Sequence, residues 1–126
     1  MKILVVDDEA LLVKGIRFNL MNEGYEVITG SDGLDAVRLV QEQNPNLVVL
    51  DVMMPNMDGL EALEAIRQIE VGCDAAKRAR VIMTTALNEV NQVDKAFQLG
   101  CEGYAVKPIN TEKFLMIMDK MGLPVH

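Results

Sequence analysis

Apolar residues along this chain follow two alternating spacings. Short, almost continuous runs of Val, Leu and Ile are separated by longer segments in which apolar residues recur every three or four positions. The runs are typical of strands buried on both faces, and the longer spacing is typical of helices that bury one side. The pattern predicts strands at residues 2–6, 25–29, 47–50, 80–85 and 103–106, and helices at about 9–22, 33–43, from Asp58 onward, 90–99 and 111–121.

Capping residues and apolar stripes add detail to the predicted helices. Asp58 followed by Glu61 has the form of a capping box, and Ser31 or Asp32 is placed to cap the second helix. Buried stripes are expected at Leu12, Ile16 and Leu20 in the first helix, at Leu60, Leu63, Ile66 and Ile69 in the third, and at Val93, Ala96 and Phe97 in the fourth.

The regular alternation of strand and helix favours a parallel sheet. Parallel strands need crossover connections of one hand, so helices are expected to cover both faces of the sheet. We predict an α/β fold of the flavodoxin-like kind, a doubly wound three-layer sandwich with strand order 2-1-3-4-5 and a site at the rim between strands 1 and 3. A chain of 126 residues is expected to form one domain, residues 1–126.

Composition argues against several functional classes. The net charge of −7 argues against direct binding of nucleic acid. The apolar runs are too short to cross a bilayer and the N-terminus lacks the layout of a signal peptide, so no membrane insertion is expected. Cys73 and Cys101 lack metal-binding spacing and the single histidine is His126, so we expect no zinc site, two reduced thiols and a cytoplasmic location.

Acidic residues follow two of the predicted strands. Asp7 and Asp8 come directly after the first strand, and Asp51 comes directly after the third. Because the carboxyl ends of parallel strands lie at one edge of a sheet, the three carboxylates are expected to share a pocket. Their mutual repulsion favours a bound divalent cation, and a set of oxygen ligands favours Mg²⁺, with Mn²⁺ as an alternative.

The fourth and fifth predicted strands bring a threonine hydroxyl, from Thr84 or Thr85, and Lys107 to the same edge. These groups beside a carboxylate and Mg²⁺ suit a phosphoryl group in transfer, whose oxygens need positive charge and hydrogen-bond donors. A carboxylate is also an oxygen nucleophile that can form an aspartyl phosphate. Taken alone, Asp7 and Asp8 are better explained as residues that stabilise the start of the first helix. The presence of Asp51 and Lys107 favours the pocket instead.

Four segments resemble the receiver domain of two-component response regulators. They are residues 5–9 (VVDDE), 51–59 (DVMMPNMDG), 85–86 (TA) and 103–108 (GYAVKP), and they occur in the family's order at predicted strand ends. Each is weak alone, but together they extend the resemblance over nearly the whole chain. The resemblance implies a phosphorylation-activated signalling switch that is not an enzyme, apart from catalysing its own phosphorylation and dephosphorylation.

The resemblance implies a role for each acidic residue. Asp51 is the implied phosphoacceptor, and Asp8 is implied to bind Mg²⁺ directly while Asp7 acts through water. Asp51 and the backbone carbonyl of Met53 complete the implied metal site.

Residues at the ends of the fourth and fifth strands receive roles from the same resemblance. Thr85 and Lys107 are implied to contact the phosphoryl group, and Tyr104 is implied to turn inward as a switch. A fixed packing role is the alternative for Tyr104. Pro108 matches the family's cis-proline position, which would aim Lys107 inward.

Partners are implied as well. A histidine kinase or phosphotransfer protein would donate the phosphoryl group, and a downstream target would bind the face made by the fourth helix, the fifth strand and the fifth helix. A candidate docking patch for the kinase lies on the first helix, at Leu11, Lys14, Gly15 and Phe18. Scattered surface apolarity explains that patch equally well. The oligomeric state stays open between a monomer and a phosphorylation-dependent dimer.

A stand-alone regulator is the favoured function, because the chain ends soon after the last predicted helix. Four alternatives remain. The chain can be a receiver domain excised from a longer regulator with an effector domain. An aspartate-dependent phosphohydrolase usually has a second acid at the position of Met53, which argues against that enzyme. A nucleotide- or flavin-binding domain lacks its glycine-rich motif here, and a degenerate receiver used as a scaffold conflicts with the complete site.

Two positions that influence how fast the family loses its phosphoryl group are occupied here by apolar residues. In the family, the second residues after the phosphoacceptor and after the switch threonine influence phosphoryl lifetime, and here they are Met53 and Leu87. Neither side chain can orient an attacking water by hydrogen bonding. We therefore predict slow self-dephosphorylation.

Overall fold

The computed structural model describes residues 1–72, 78–86 and 92–123 of the chain. Five strands and five helices alternate along these residues, as the sequence pattern predicted. The strands are β1 (Lys2–Val6), β2 (Glu26–Gly30), β3 (Leu47–Asp51), β4 (Arg80–Thr85) and β5 (Gly103–Val106). The helices are α1 (Ala10–Asn22), α2 (Gly33–Gln43), α3 (Gly59–Ile69), α4 (Val93–Gln98) and α5 (Thr111–Lys120).

All five strands form one parallel sheet in the order β2-β1-β3-β4-β5, which confirms the predicted doubly wound fold. One buried cluster of apolar residues packs α2, α3 and α4 against one face of the sheet. A second cluster packs α1 and α5 against the other face. The structure is therefore the three-layer sandwich expected from the sequence.

Most element boundaries agree with the predictions to within one residue. β3 continues to Asp51, which pairs with Thr84 of β4. β2 begins after Tyr25, because the N–H of Tyr25 still bonds to the Leu20 carbonyl at the end of α1. α4 begins at Val93, and the predicted start of that helix at residue 90 lies outside the described residues.

Side-chain caps explain where two helices start. Asp58 and Glu61 form the predicted capping box, in which each side chain accepts a hydrogen bond from the other's backbone N–H. Asp32, rather than Ser31, caps α2, and its side chain accepts from the N–H of Asp35 at 2.8 Å. The N-cap of α1 is Glu9, whose side chain makes no capping hydrogen bond.

Three of the predicted buried stripes differ from the structure. In α1, Val13 and Leu20 are buried, whereas Leu12 and Ile16 are only half-buried, because the helix turns Val13 towards the sheet. In α4, Ala96 is buried but Phe97 is 48% exposed, since it lies at the outer side of the helix against the Tyr104 ring. In α3, Ile69 is 41% exposed and Glu70 takes the next buried position four residues after Ile66.

The buried carboxylate of Glu70 is paired. Its Oε1 lies 2.6 Å from Nη1 of Arg67, and its Oε2 accepts a hydrogen bond from the N–H of Ala79 at 2.7 Å. Arg67 also donates to the carbonyl oxygens of Ala79 and Gly100. This network ties the end of α3 to the segments before β4 and β5. Arg80 is the first residue of β4, as predicted, and its guanidinium pairs with Glu102.

Candidate functional site

The carboxyl edge of the sheet gathers the acidic residues from two neighbouring strands. Asp51 is the last residue of β3, and Asp7 and Asp8 directly follow β1. One carboxylate oxygen from each of the three residues lies within 4.8 Å of the others. Asp7 and Asp51 are buried, at 4% and 3% exposed, while Asp8 is exposed. The parallel register of β1 and β3 therefore brings together the carboxylates that the sequence predicted would meet.

Lys107 joins these carboxylates from the end of β5. Its Nζ lies 2.8 Å from Oδ2 of Asp7 and 3.1 Å from Oδ2 of Asp51. The backbone N–H of Lys107 donates to the Thr85 carbonyl at 2.7 Å, and the Lys107–Pro108 peptide bond is cis. One ammonium group thus contacts both buried carboxylates, one from each central strand.

Glu9 is a member of this cluster that the sequence analysis did not single out. Its Oε1 lies 3.6 Å from Nζ of Lys107, and its N–H donates to Oδ1 of Asp7 at 2.9 Å. Its side chain is 65% exposed, so the ion pair with Lys107 is largely solvated. Its place directly after the Asp7–Asp8 pair is the only sequence signal that points to it.

Burial and charge change the titration of the site. Burial, followed by repulsion from Asp7, raises the pKa of Asp51 from 3.8 to about 6, against the opposing charge of Lys107. For Lys107, burial alone would lower the pKa of the ammonium. The hydrogen bond to Asp7 and the charges of Asp51 and Asp7 outweigh it, so the pKa of Lys107 is raised. Lys107 therefore stays charged at neutral pH. Asp51 takes up a proton near pH 6, well above the pH at which an ordinary aspartate does.

The donor set fits a hard divalent cation. The three carboxylates within 4.8 Å offer only oxygen ligands, which Mg²⁺ and Mn²⁺ prefer over softer donors. Asp51 and Asp7 repel each other strongly enough to raise the pKa of Asp51, and a cation between them would relieve that repulsion. Asp8 is exposed, so the site is open to solvent on one side and leaves room for the waters that Mg²⁺ retains.

Thr85 and Tyr104 lie beside the site, at the ends of β4 and in β5. Thr85 is fully buried, and its hydroxyl donates to the Ala86 carbonyl at 3.2 Å. The Tyr104 ring is half-buried against the core, 6.5 Å from the centroid of the Phe97 ring. Its hydroxyl is buried and finds no hydrogen-bond partner among residues 1–72, 78–86 and 92–123. The aromatic side chain is thus turned inward here.

Of the remaining predicted residues, those that the structure describes lie on the surface. The Met53 side chain is 53% exposed in the loop after β3, and Leu87 lies outside the described residues. On α1, Leu11 and Phe18 are 86% and 66% exposed, and they share an exposed side of the helix with Lys14 and Gly15. None of the described helices is long and apolar enough to span a membrane.

Comparison with known proteins gives a single family. The sequence profile of the response regulator receiver domain matches residues 3–119. The chain is 36% identical over 120 residues to chemotaxis protein CheY of Bacillus subtilis (strain 168), across 94% of this chain and 95% of that protein. It is 38% identical over 109 residues to the alkaline phosphatase synthesis transcriptional regulatory protein PhoP of the same organism, across 86% of this chain. That second match covers 43% of the relative, so this chain spans less than half of its length.

Solved structures agree with the sequence comparisons. The CheX–CheY–BeF3–Mg²⁺ complex from Borrelia burgdorferi matches with a TM-score of 0.85 and 31% identity, across 98% of this chain and 90% of that chain. Chemotaxis protein CheY4 of Vibrio cholerae matches with a TM-score of 0.84 and 29% identity, across 95% of this chain and 97% of that chain. This chain therefore belongs to the response regulator receiver domain family, the signalling switches of two-component systems.

Proposed function

We propose that this chain is a phosphorylation-controlled switch that accepts a phosphoryl group on Asp51 from a histidine kinase or phosphotransfer protein. One observation carries the proposal: the buried Asp51 carboxylate lies 3.1 Å from the Lys107 ammonium, at the strand end where Asp7 and Asp8 also converge. A nucleophile, a fixed positive charge and a cation-binding group of carboxylates are together what phosphoryl transfer to a carboxylate requires.

In the proposed reaction, a carboxylate oxygen of Asp51 attacks the phosphorus of a phosphohistidine. The new P–O bond forms as the P–N bond breaks, and the electron pair of that bond returns to the imidazole nitrogen. A proton from the donor's ring or from solvent completes the neutral imidazole, and Asp51 becomes an acyl phosphate. Lys107 is placed to pair with the phosphoryl oxygens, because its Nζ already contacts the attacking carboxylate.

Asp7, Asp8, Asp51 and the Met53 carbonyl are the groups we propose to hold Mg²⁺, with Mn²⁺ as a substitute. The bound ion would supply positive charge to the phosphoryl oxygens and offset the repulsion among the carboxylates. The structural relative from Borrelia burgdorferi, whose complex contains Mg²⁺, supports this assignment.

The output surface is proposed to be the face formed by α4, β5 and α5. Thr85 would hydrogen-bond the phosphoryl group, and its movement would favour one arrangement of Tyr104 over another. Tyr104 contacts the exposed Phe97 ring of α4, so a change at Tyr104 reaches the surface through a direct contact. We propose that a downstream protein binds this surface in the cytoplasm, or that a second copy of the chain binds it in a phosphorylation-dependent dimer.

The input surface is proposed to be the exposed side of α1. Leu11 and Phe18 are large exposed apolar side chains on the helix that begins directly after the acidic residues of β1's end, with Lys14 between them in sequence. Phe18→Ala should reduce phosphoryl transfer from a kinase that labels the wild type, but leave labelling by acetyl phosphate unchanged. Leu34→Ala is the matched control, since Leu34 is a similarly exposed apolar residue on α2. Loss of both labelling reactions, or of neither, in Phe18→Ala would remove the docking patch from the proposal.

Phosphoryl incorporation tests the proposed reaction. Wild type, Asp51→Asn and the control Asp119→Asn, on α5, are incubated with acetyl phosphate, with and without Mg²⁺, and weighed by intact-mass spectrometry. We expect wild type and the control to gain one phosphoryl group in Mg²⁺ only, and Asp51→Asn to gain none. Continuous release of phosphate from many phosphorylated small molecules, without a stable covalent product, would instead support the phosphohydrolase.

A further inference from the structure

The turn between β2 and α2 contacts both of the chain segments that carry the acidic residues, although it contributes no carboxylate to the site. At its start, the Gly30 carbonyl accepts a hydrogen bond from the N–H of Asp7 at 3.3 Å. At its end, Oδ2 of Asp32 accepts one from Nδ2 of Asn56 at 2.8 Å. The turn therefore connects the end of β1 with the loop that follows β3.

A backbone contact reinforces this connection. The N–H of Gly33 donates to the Met57 carbonyl at 3.0 Å, next to the Asp32–Asn56 hydrogen bond. A Cβ atom on Gly33 would lie 2.3 Å from the same carbonyl oxygen, so only glycine permits the approach. The loop at residues 52–58 is therefore held against the start of α2 by two adjacent hydrogen bonds.

Both residues of the side-chain pair are suited to this contact. Asp32 uses one oxygen to cap α2 through the N–H of Asp35 and the other to accept from Asn56. Asn56 has φ +68°, a left-handed conformation that asparagine tolerates better than most residues. The pair is separated by 24 positions in sequence.

The sheet does not fix this loop by itself. The β1–β3 ladder ends with the pairing of Val6 and Leu50, and β3 ends at Asp51. The N–H of Val52 still donates to the Thr84 carbonyl of β4 at 2.9 Å, and beyond it the backbone leaves the sheet. The loop then includes Met53, whose carbonyl belongs to the proposed cation site. The sheet therefore holds the loop only up to Val52, and contacts outside the sheet contribute to the position of the Met53 carbonyl relative to Asp7.

We propose that Asn56, through Asp32, is a positioning residue that sets the affinity of the acidic site for a divalent cation. The inference rests on the proposed function, because it takes the acidic site as a cation site. Hydrogen bonds behind the ligands hold them in the binding geometry, so that less ordering is needed when the ion binds. Loss of the Asn56 amide should therefore weaken cation binding without removing any ligand.

The test compares two Asn→Gly variants at left-handed positions. Asn56→Gly keeps the φ of +68° accessible and deletes only the amide, and Asn44→Gly does the same at φ 48° at the end of α2. Isothermal titration of the metal-free proteins with MgCl₂ gives the dissociation constants. We expect Asn56→Gly to weaken Mg²⁺ binding about tenfold. We expect Asn44→Gly to stay within about twofold of wild type, as surface substitutions usually do.

Two further measurements separate positioning from a general loss of stability. The double exchange Asp32→Asn with Asn56→Asp restores a hydrogen bond with donor and acceptor reversed, and we expect it to recover most of the lost affinity. Without metal, the Gly33 amide should exchange its hydrogen faster in Asn56→Gly than in Asn44→Gly, because its partner Met57 lies in the released loop. Should Asn56→Gly fail to fold, Asp32→Ser takes its place, since serine can cap α2 but has no second oxygen for Asn56.

The outcomes distinguish this inference from the proposed function. Equal Mg²⁺ affinity in wild type and Asn56→Gly, or equal weakening in the two glycine variants, would overturn the positioning role and leave the cation site intact. Failure of the wild type to bind Mg²⁺ would overturn both. Weakening in Asn56→Gly that the double exchange does not recover would also contradict a role for the Asp32–Asn56 hydrogen bond.

Discussion

The Nζ of Lys107 lies 3.1 Å from Oδ2 of Asp51, and the same ammonium is 2.8 Å from Asp7. One ammonium group therefore pairs with two buried carboxylates, one directly after β1 and one at the end of β3. Its attraction does not cancel the effects of burial and of Asp7, since the pKa of Asp51 is still raised to about 6. The remaining repulsion favours binding of a cation, and Asp51 is mostly ionised at neutral pH although it protonates more readily than an ordinary aspartate.

Removal of the lysine charge should raise the pKa of Asp51 further. Lys107 is the group that opposes burial and the repulsion from Asp7, so Lys107→Met is expected to move the titration of Asp51 to a pH above about 6. Carbon-13 NMR of labelled aspartates, followed against pH in EDTA, measures the shift directly. Lys113→Met is the control, because Lys113 lies on the exposed side of α5. An unchanged or lowered pKa in Lys107→Met would contradict the electrostatic account.

Asp51→Asn should stabilise the metal-free protein at neutral and alkaline pH. The folded-state pKa of Asp51 is above its ordinary value of 3.8, so its contribution to stability is present below pH 3.8 and lost as pH rises through about 6. Asparagine lacks this penalty, and the gain at pH 8 should be about 3 kcal/mol. Urea unfolding in EDTA at pH 8 and at pH 4 tests the prediction. The gain should shrink towards zero at pH 4, and a gain independent of pH would point to packing instead.

Arg67→Met should destabilise the fold without touching the site. It leaves the buried Glu70 carboxylate without the guanidinium 2.6 Å away, and such losses cost about 3 kcal/mol. Urea unfolding at pH 7 gives the loss, and the double variant Arg67→Met with Glu70→Gln should recover much of it, because no unpaired charge remains and the amide oxygen can still accept from the Ala79 N–H. Arg38→Met is the control, since Arg38 forms only exposed ion pairs on α2. Equal effects at Arg38 and Arg67 would show that burial of the pair is not what matters.

Polar substitutions at positions 53 and 87 should shorten the lifetime of the phosphorylated protein. Met53 is exposed two residues after Asp51 and cannot hydrogen-bond an attacking water. Met53→Asn and Leu87→Glu are each expected to accelerate phosphoryl loss about tenfold, the effect of one hydrogen bond to the attacking water in the transition state. Decay of the phosphorylated protein after removal of acetyl phosphate measures the rate, with Met116→Asn as a control on α5. No acceleration in either variant would refute the predicted slow self-dephosphorylation.

Patterns that repeat along the chain were enough to predict the fold. Buried strands and amphipathic helices alternate clearly, so the parallel order and the shared edge of Asp7, Asp8 and Asp51 followed from topology. The capping box at Asp58 was also readable, because its two members are three residues apart.

Contacts between distant segments were not predictable in this way. The Asp32–Asn56 hydrogen bond and the bonds of Arg67 to Gly100 join segments 24 and 33 positions apart, and neither leaves a periodic signal. The exposure of Phe97 and Ile69 was not predicted for a related reason. Helical spacing predicts which residues share one side of a helix, but not the angle at which the helix packs against its neighbours.

Identification of the phosphorylated residue tests the central claim most directly. An acyl phosphate is reduced by borohydride to an alcohol, so a phosphorylated aspartate becomes homoserine and can be located by peptide sequencing in the mass spectrometer. After treatment with acetyl phosphate and Mg²⁺, we predict homoserine at position 51 in wild type and none in Asp51→Asn. Homoserine at Asp7 or Asp8, or a phosphoryl group that borohydride does not remove, would contradict the assignment of Asp51 as the phosphoacceptor.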